Sequence, residues 1–305
     1  MSGTALAQQC GSKAVRLVVP FPPGGGADSL ARLLAPRWGE ATGQQIVIDN
    51  RSGAAGNIGT AIVARATSDG CTLLLGHSSA LVVNPSLYTD ITFDPEKDFA
   101  PITLIGSAQY LLVVHPSVRA TSVEDLVSRA KSSPFLYSSA GVGSPNHLAA
   151  EVFRTMAGID LVHVPYKGGG PATLAILSGE VQLLFGSFAS SLPQAASGKL
   201  VALAVTGPNR SSQAPDIPTM REAGYPGFDV RAWMGVLAPA GTPRNTVDRI
   251  YDTLTKVLAT PRIRDGLKKE GLDTSSVTPA EFLAYIKAQR VFWAKVIKEA
   301  AIKPD

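Results

Sequence analysis

The sequence predicts an α/β fold, and two observations carry this prediction. Short apolar runs alternate with amphipathic segments of helical period through most of the chain, a pattern typical of parallel sheets whose strands are connected by helices. The chain has 305 residues, of which 45% are hydrophobic and 17% are charged. It is therefore long enough for two domains and too apolar for a disordered chain.

Each predicted strand is a short apolar run, and each predicted helix carries apolar residues three or four positions apart. In chain order the strands are Val15–Val19, Gln45–Asp49, Thr72–Leu75, Leu111–His115, Phe135–Ser138, Leu161–Pro165, Val181–Phe185 and Leu200–Val205. The helices between them are Asp28–Trp38, Ile58–Ala66, Ser122–Lys131, His147–Gly158 and Pro171–Ser178. Ser122 is a good N-cap followed by acidic residues in the first turn, which marks a helix beginning.

The end of the chain has a different character. From about Thr242 it is nearly all helical, over Pro243–Leu258, Pro261–Glu270 and Pro279–Ala300. We interpret this block as a C-terminal return of the chain onto one of two preceding α/β units. Crossings between the domains are expected in the extended segments near Ser107–Leu111 and Phe228–Trp233.

The charge pattern argues against nucleic acid as a partner. The net charge is +4 and the pI is about 9.1, but the basic residues are scattered and only Lys268 and Lys269 are adjacent. A weak attraction for small anions is the more modest expectation. No apolar run approaches the ~18 residues of a membrane helix, and no Cys/His cluster has metal-ligand spacing.

The N-terminus and the cysteines bear on the compartment. Thr4–Gln8 reads like the end of a secretory signal, with Ala5-x-Ala7 as the cleavage site, although no basic or full apolar segment precedes it. We interpret residues 1–12 as the remnant of a shortened signal, with a disordered cytosolic N-terminus as the alternative. Cys10 and Cys71 are compatible with one disulfide in an oxidising compartment, and their spacing leaves the pairing open.

Four loops rich in glycine and hydroxyl residues follow predicted strands. They are Pro20–Ser29, Gly76–Ser79, Ser138–His147 and Pro165–Ala172. In open α/β sheets such loops line the ligand crevice, and the first of them leads into a helix whose N-terminal N–H groups attract an anion. One such loop is explained by a tight turn alone, but four at equivalent positions favour a binding cleft.

The first loop also invites a dinucleotide interpretation. Gly24-x-Gly26-x-x-Ser29 nearly fits G-x-G-x-x-G, and Asp49 ends the next strand where a ribose-binding acid would lie. Ser29 replaces the third glycine, however, Pro22-Pro23 stiffens the turn, and Asp28 brings a negative charge to the place of the phosphates. An NAD-dependent α/β oxidoreductase is therefore kept as the alternative.

The sequence lacks a recognisable catalytic constellation. It has no P-loop and no G-x-S-x-G elbow, and its four histidines are dispersed. His147 is expected to cap or pack more than to donate to a ligand, and His163, in an apolar run, is expected to be structural. Tyr166 is a better ligand candidate than Lys167, by stacking or through its hydroxyl.

Seven blocks of the sequence resemble, in order, those of the Bug (TctC-like) extracytoplasmic solute receptors, the substrate-binding subunits of tripartite tricarboxylate transporters. The blocks are Arg16–Gly26 with Asp28, Asn50–Gly59, Asp69–Leu74, Phe93–Ile102, Gly141–His147, Val164–Gly168 and Ala238–Pro243. Together they extend the resemblance from about Ala14 to Lys295.

The resemblance implies a type II periplasmic binding protein fold, in which two α/β domains are joined by two crossing segments with the ligand cleft between them. Domain 1 is expected at residues 13–109 and 232–305, and domain 2 at residues 110–231. The family is periplasmic and not enzymatic, and the chain is expected to act as a monomer without cofactor or metal. It would capture a small dicarboxylate or aromatic carboxylate by hinge closure and pass it to membrane permease subunits. A receptor feeding a sensor kinase is a further alternative.

The matching motifs place the ligand against the first loop and the glycine-rich loops of the second domain. The expected ligand-binding residues are Phe21, Pro23, Gly24, Gly25, Gly26, Asp28, Ser78, Ser79, Ser139, Ala140, Gly143, Ser144, His147, Tyr166, Lys167, Gly168 and Ser187. Asn57 is expected to fix a loop, as are Gly53 and Gly56. Ser187 stands where the family often has Asp or Asn, which disfavours an amino-acid ligand because its ammonium group needs a partner.

Overall fold

The computed structural model describes residues 14–269, 271–300 and 302–303. The strands are β1 (Val15–Val19), β2 (Ile46–Asn50), β3 (Thr72–His77), β4 (Phe99–Val114), β5 (Phe135–Ser139), β6 (Leu161–Pro165), β7 (Leu183–Ser187), β8 (Val201–Val205), β9 (Arg231–Pro239) and β10 (Asp273–Thr274). The helices are α1 (Gly26–Thr42), α2 (Asn57–Ala64), α3 (Asn84–Leu87), α4 (Val123–Ala130), α5 (Pro145–Ala157), α6 (Gly169–Leu177), α7 (Phe188–Ala196), α8 (Arg244–Leu258), α9 (Pro261–Lys269) and α10 (Pro279–Glu299).

The chain forms two compact units. Residues 14–107 and 233–294 belong to the first, and residues 108–232 together with the chain from Lys295 onward belong to the second. The chain changes unit within β4 and within β9. The sequence interpretation assigned all of residues 232–305 to domain 1, whereas the last part of α10 groups with the second unit. Helical periodicity does not reveal which neighbour a helix end contacts.

The first unit is built on three parallel strands in the order β2-β1-β3, and β9 joins antiparallel to β3. The central strand β1 is buried along almost its whole length because helices cover the sheet, as parallel sheets require. Helix α1 buries one stripe of apolar residues at helical spacing, namely Ala27, Leu30, Ala31, Leu34 and Trp38. It ends at Gly43, which adopts the left-handed conformation common after helices.

The second unit has a parallel core of β6, β5 and β7, extended by β4, which pairs antiparallel with both β7 and β8. Its core packs α6 against this sheet through Ile176, Val181, Leu184 and Val205. Burying each such side chain contributes about 1.5–3 kcal/mol of transfer free energy. The predicted α/β fold on parallel strands is confirmed, and β4, β8 and β9 add antiparallel pairs to it.

Most predicted elements are present, with shifted ends. Five elements differ more. Strand β4 begins at Phe99 and not at Leu111, β9 was expected only as an extended crossing, and α3, α7 and β10 were not predicted. The apolar run of β9 contains Gly235, whose close approach to the Thr103 carbonyl leaves no room for a side chain. Because glycine is uncommon in strands, Gly235 weakens the sequence pattern by which β9 could have been predicted as a strand.

Two expectations concern the N-terminus. The interpretation of residues 1–12 as a signal remnant lies outside the described residues, as does Cys10. Cys71 is disulfide-bonded, and Cys10 is the other cysteine of the sequence. Within the described ranges no helix is both long and apolar enough to cross a membrane.

Candidate functional site

In the first unit, the loops after the parallel strands lead directly into helical turns. Helix α1 begins at Gly26 after β1, α2 begins at Asn57 after β2, and a π-helical turn over Ser79–Val83 follows β3. Because the three strands are parallel, these N-termini lie at one edge of the sheet. Helix N-termini present N–H groups and partial positive charge, so this edge favours an anion.

Asp28 shapes the loop between β1 and α1. Its side chain is 2% exposed, and Oδ2 accepts hydrogen bonds from the Gly24 N–H (2.9 Å) and from Arg32 Nε (2.8 Å). Asn50 Nδ2 donates to Asp28 Oδ1 and to the Phe21 carbonyl, each at 3.1 Å. The Arg32 hydrogen bond, with that of Gly24, lowers the pKa of Asp28 to about 2. The Asp28 carboxylate is thus ionised, and its oxygens already accept hydrogen bonds from other groups of the protein.

Phe21, Ser78 and Ser79 lie at the end of β3, where Phe21 and Ser79 contact the last residue of the strand, His77. The Phe21 ring packs edge-on against the His77 ring at a centroid distance of 5.1 Å. The Ser79 N–H donates to His77 Nδ1 (3.1 Å), and burial lowers the pKa of His77 to about 4, so this imidazole is neutral. Ser78 is buried and its Oγ accepts from the backbone N–H of Trp233 (3.3 Å). The Ser78 hydroxyl keeps its own proton for another acceptor.

The loop before α2 is held in an unusual backbone conformation. Ala54 and Ala55 have φ angles of 46° and 53°, in the left-handed region that non-glycine residues seldom adopt. Asn84 Nδ2 donates to the Ala55 carbonyl (3.2 Å) and to Asn57 Oδ1 (2.7 Å). Asn84 thereby maintains the strained turn, and sequence analysis missed it because nothing in its local pattern distinguishes it.

In the second unit, three further helix N-termini lie at one edge. Strands β5, β6 and β7 are parallel, and they lead into α5, α6 and α7. Ser144 and Ser187 cap α5 and α7 by accepting from the N–H groups of His147 (3.4 Å) and Ser190 (3.3 Å). Gly168, with φ 106°, precedes α6. The loops that hold the predicted residues of this unit therefore precede helix N-termini at one edge of the sheet.

The loop Ser139–Ser144 is closed by its own hydroxyls. The Ser144 Oγ donates to the Gly141 carbonyl (2.6 Å), and the Gly141 N–H donates to Ser139 Oγ (3.1 Å). The Gly143 N–H donates to His147 Nδ1 (3.0 Å). The Gly168 N–H donates to the Ala140 carbonyl (3.3 Å), which ties this loop to the next.

Tyr166 is placed differently from the expectation. Its hydroxyl donates to Glu180 Oε1 (2.7 Å), and this hydrogen bond raises the pKa of Tyr166 to about 12. The ring packs against the apolar core of the second unit. Lys167 beside it is exposed. The Tyr166 hydroxyl thus serves the fold of its own unit.

Three aromatic rings stack behind the Ser139–Ser144 loop. Tyr137 stacks on His163 (4.8 Å between centroids), and His163 stacks on His147 (4.1 Å). The Tyr137 hydroxyl donates to Glu151 Oε1 (2.7 Å), and Arg154 Nε donates to Glu151 Oε2 (2.9 Å). Sequence analysis did not connect these residues, because they come from two strands and a helix.

The dinucleotide interpretation has no support in this geometry. Asp49, the expected ribose acid, accepts at Oδ2 from Arg16 Nε (2.7 Å) and from Arg51 Nε (3.1 Å). Asp28 holds a full negative charge inside the loop that would have to receive a pyrophosphate. Among the described residues no group of three or more His, Cys, Asp or Glu side chains is placed to hold a metal ion.

The sequence and the fold both match known proteins. Residues 30–302 match the family described as the tripartite tricarboxylate transporter family receptor, TctC. A UPF0065 protein from the tcbD-tcbE intergenic region of Pseudomonas sp. (strain P51) is 37% identical over 291 residues, 94% of this chain and 86% of its own.

Three solved structures are similar over nearly their whole length. "R. palustris Rpa4515 with adipate" is 37% identical with a TM-score of 0.76, and covers 96% of this chain and 98% of its own. The periplasmic binding protein BugD is 34% identical with a TM-score of 0.72, over 96% and 99%. MatC (Rpa3494) from Rhodopseudomonas palustris with bound malate is 28% identical with a TM-score of 0.70, over 93% and 98%.

Two α/β units, each ending its parallel strands in a group of helix N-termini, match the two-domain solute-binding receptors, which are not enzymes. The chain belongs to the TctC family, the receptors of tripartite tricarboxylate transporters. The resemblance to Bug proteins is confirmed. The oxidoreductase and sensor-kinase alternatives find no support in the comparisons, and the family includes periplasmic binding proteins.

Proposed function

We propose that this chain is a periplasmic receptor that binds a small organic dicarboxylate and delivers it to the membrane permease subunits of a tripartite transporter. Membership of the TctC family supports the transport role. Two similar structures contain adipate and malate, which are both dicarboxylates. An aromatic monocarboxylate is the second ligand class that the partly exposed Phe21 ring would suit.

The observation that carries the proposal is that α5, α6 and α7 all begin at one edge of the sheet in the second unit. Each N-terminus favours a nearby anion by about 0.3–1 kcal/mol, and each N–H donated to a carboxylate adds about 1.5–3 kcal/mol. Neutral donors of this kind hold a carboxylate without a permanent counter-charge. The proposed donors of this unit are Ala140 and the cap Ser187. Gly143 and Gly168, whose N–H groups donate to His147 Nδ1 and to the Ala140 carbonyl, are assigned to holding the loops.

The proposed site residues of the first unit divide into two roles. Residues Pro23–Gly26 contribute main-chain groups at the N-terminus of α1. The Ser78 hydroxyl has a proton that it can donate to the ligand. Asp28 and Ser79 position this edge through their internal hydrogen bonds. In the second unit we assign Ser139, Ser144, His147 and Tyr166 to positioning on the same grounds, and Lys167 to attraction of the anion from solution.

Titration calorimetry with adipate and with adipamide tests the carboxylate requirement. The two molecules have the same chain length, but only adipate carries negative charge. We expect adipate to bind and adipamide to give no heat of binding at the same concentration, with malate and benzoate defining the ligand class. Equal binding of adipamide, or binding of NAD and of no carboxylate, would contradict the proposal.

A pair of substitutions at Ser187 tests the placement of the anion. Asp and Asn cap a helix about as well as Ser, so Ser187→Asp and Ser187→Asn keep α7 while only the first adds negative charge. We expect Ser187→Asp to weaken adipate binding at least tenfold and Ser187→Asn to change it less than threefold. If both variants bind like the wild type, the ligand does not approach α7.

A further inference from the structure

His77, the last residue of β3, lies at the edge of the first unit's sheet where α1 and α2 begin. It is not among the residues expected to bind the ligand. Phe21, which is among them, packs edge-on against the His77 ring, and Ser78 and Ser79 follow it in the chain. The imidazole is therefore surrounded by residues of the proposed site and has no role in it so far.

The hydrogen bonds of the His77 ring fix which nitrogen carries the proton. Nδ1 accepts from the Ser79 N–H at 3.1 Å and lies 2.9 Å from Ser79 Oγ. A ring nitrogen can accept an N–H only while it carries no proton. Burial lowers the pKa of His77 to about 4, so the ring is neutral near pH 7. A neutral imidazole keeps one proton, and in His77 this proton is on Nε2.

The Nε2–H group of His77 is an unused donor that solvent can reach. Both ring contacts to Ser79 are made by Nδ1, and Nε2 has no hydrogen-bond partner among the described residues. In the same part of the chain, the unpaired side-chain nitrogens that are fully enclosed are Trp38 Nε1, Trp233 Nε1 and Arg249 Nε. Nε2 of His77 is not one of these, and His77 is partly exposed. A molecule at this edge can therefore accept its proton.

His115 in the second unit shows what the local turn does by itself. Its Nδ1 accepts from the Ser117 N–H at 3.3 Å and lies 2.8 Å from Ser117 Oγ, as in the turn of His77 and Ser79. His115 follows the end of β4, which pairs with the beginning of β7 at Leu183. It therefore lies at the edge of the sheet opposite the N-termini of α5, α6 and α7. The turn orients a ring in both units, but of the two rings only His77 lies at an edge of helix N-termini.

We propose that His77 is a ligand-binding residue that donates its Nε2–H to a carboxylate oxygen of the ligand in the first unit. The assignment rests on the proposed function, and it adds an imidazole donor to the main-chain groups of Pro23–Gly26 and to the Ser78 hydroxyl. Because Nδ1 already accepts from Ser79, the ring can donate to the ligand but cannot accept from it. His77 therefore favours a carboxylate over an ammonium group, which would bring two donors face to face.

Two substitutions separate donation to the ligand from positioning of Ser79. In His77→Asn, Oδ1 can replace Nδ1 as the acceptor for the Ser79 N–H, but no donor reaches the place of Nε2. In His77→Gln, the amide nitrogen can reach that place, while the acceptor for Ser79 is displaced. A hydrogen bond to a charged carboxylate corresponds to about ten- to a hundredfold in affinity.

Adipate affinity would be measured by calorimetry at pH 7.5. We expect His77→Asn to weaken adipate binding at least tenfold, and His77→Gln to weaken it less than His77→Asn does. A residue that only positions Ser79 would give the reverse order, because His77→Asn keeps the acceptor and His77→Gln displaces it. The reverse order, or wild-type affinity in His77→Asn, would overturn the proposal.

His115→Asn is the matched control, because it makes the same change in the same kind of turn at the opposite edge of the other unit. We expect its adipate affinity to stay within twofold of the wild type. Thermal unfolding without adipate measures the stability of each variant. If His115→Asn loses as much affinity as His77→Asn, the loss comes from the turn and not from donation to the ligand, and the proposal is wrong.

A measurement on the wild type does not depend on the folding of any variant. In NMR of the chain with ¹⁵N-labelled histidine, the His77 ring is recognised by its nuclear Overhauser contacts to Phe21. It should carry a proton on Nε2 and none on Nδ1 from pH 6 to pH 8. Saturating adipate should shift the Nε2–H resonance and slow its exchange with water, and adipamide should do neither. A proton on Nδ1, or an Nε2–H resonance that adipate leaves unchanged, would overturn the proposal.

The failure of this proposal differs from the failure of the proposed function. If adipate, malate and benzoate all give no heat of binding with the wild type, the proposed function is wrong and the role of His77 falls with it. If adipate binds the wild type and His77→Asn equally well, the chain remains a carboxylate receptor and only the role of His77 is wrong.

Discussion

Asp28 receives hydrogen bonds from three separate parts of the first unit: the loop at Gly24, helix α1 at Arg32 and strand β2 at Asn50. A buried carboxylate with this many donors is more stable charged than protonated. The sequence motif identified Asp28 as important, but it could not distinguish a residue that contacts the ligand from one that shapes the loop.

We predict that Asp28→Asn destabilises the unliganded protein by about 1–3 kcal/mol at pH 7, because the amide leaves buried donors without acceptors. Urea unfolding of the two proteins measures the difference. The hydrogen bonds from Arg32 and Gly24 lower the pKa of Asp28 from its ordinary value of 3.8 to about 2 in the folded protein. The contribution is therefore present above pH 3.8, and it is lost as the pH falls through the folded value.

The stability gap between wild type and Asp28→Asn should accordingly narrow between pH 4 and pH 2. Asp90→Asn is the matched control, since Asp90 is exposed and its substitution should leave the unfolding midpoint unchanged. A gap that stays constant down to pH 2 would show that the charge of Asp28 contributes nothing to folding.

At the scale of elements, the sequence gives the parallel strands and their helices because periodicity and loop residues are local signals. Strand β1 was predicted with its exact bounds, and so was β6. The first half of β4, the strand β9 and the Tyr137–His163–His147 stack depend on neighbours far away in the chain. The pairing of Leu74 with Leu237, for example, cannot be predicted from the sequence of either strand alone.

Helix α2 can pack closely against the backbone that follows β1 and β2 because residue 59 is a glycine. A Cβ at Gly59 would lie 2.6 Å from the Arg51 carbonyl oxygen and 2.8 Å from Pro20 Cα. Backbone atoms cannot move aside cheaply, so we predict that Gly59→Ala costs about 1–3 kcal/mol of stability. Thermal unfolding of the unliganded protein measures it.

Gly26→Ala is the control for that prediction. Gly26 also belongs to a helix, but nothing lies within 4 Å of a Cβ built there. Alanine favours helix by up to about 1 kcal/mol over glycine, so this variant should be at least as stable as the wild type. Equal stability of Gly59→Ala and Gly26→Ala would mean that the close packing of Gly59 against the Arg51 and Pro20 backbone does not constrain the residue at position 59.

At the scale of the whole molecule, the charge distribution bears on how an anion is bound. The net charge is +4, and many basic side chains are already paired, as Arg32 is with Asp28 and Arg154 with Glu151. The proposed donors of the second unit are backbone N–H groups and hydroxyls. We therefore expect attraction from a distance to be weak and most of the affinity at the proposed site to come from short contacts.

Salt should therefore have little effect on binding. Surface electrostatics are screened over about 10 Å at 0.1 M salt and about 3 Å at 1 M, whereas a hydrogen bond acts at contact distance, where salt screens least. We predict that the Kd for adipate rises less than threefold between 0.05 and 0.5 M NaCl. Lys167→Gln should raise it by a similarly small factor at low salt and by none at high salt. If the Kd instead rises tenfold with salt and Lys167→Gln removes that dependence, the exposed Lys167 cation holds the ligand directly, and neutral donors alone are insufficient.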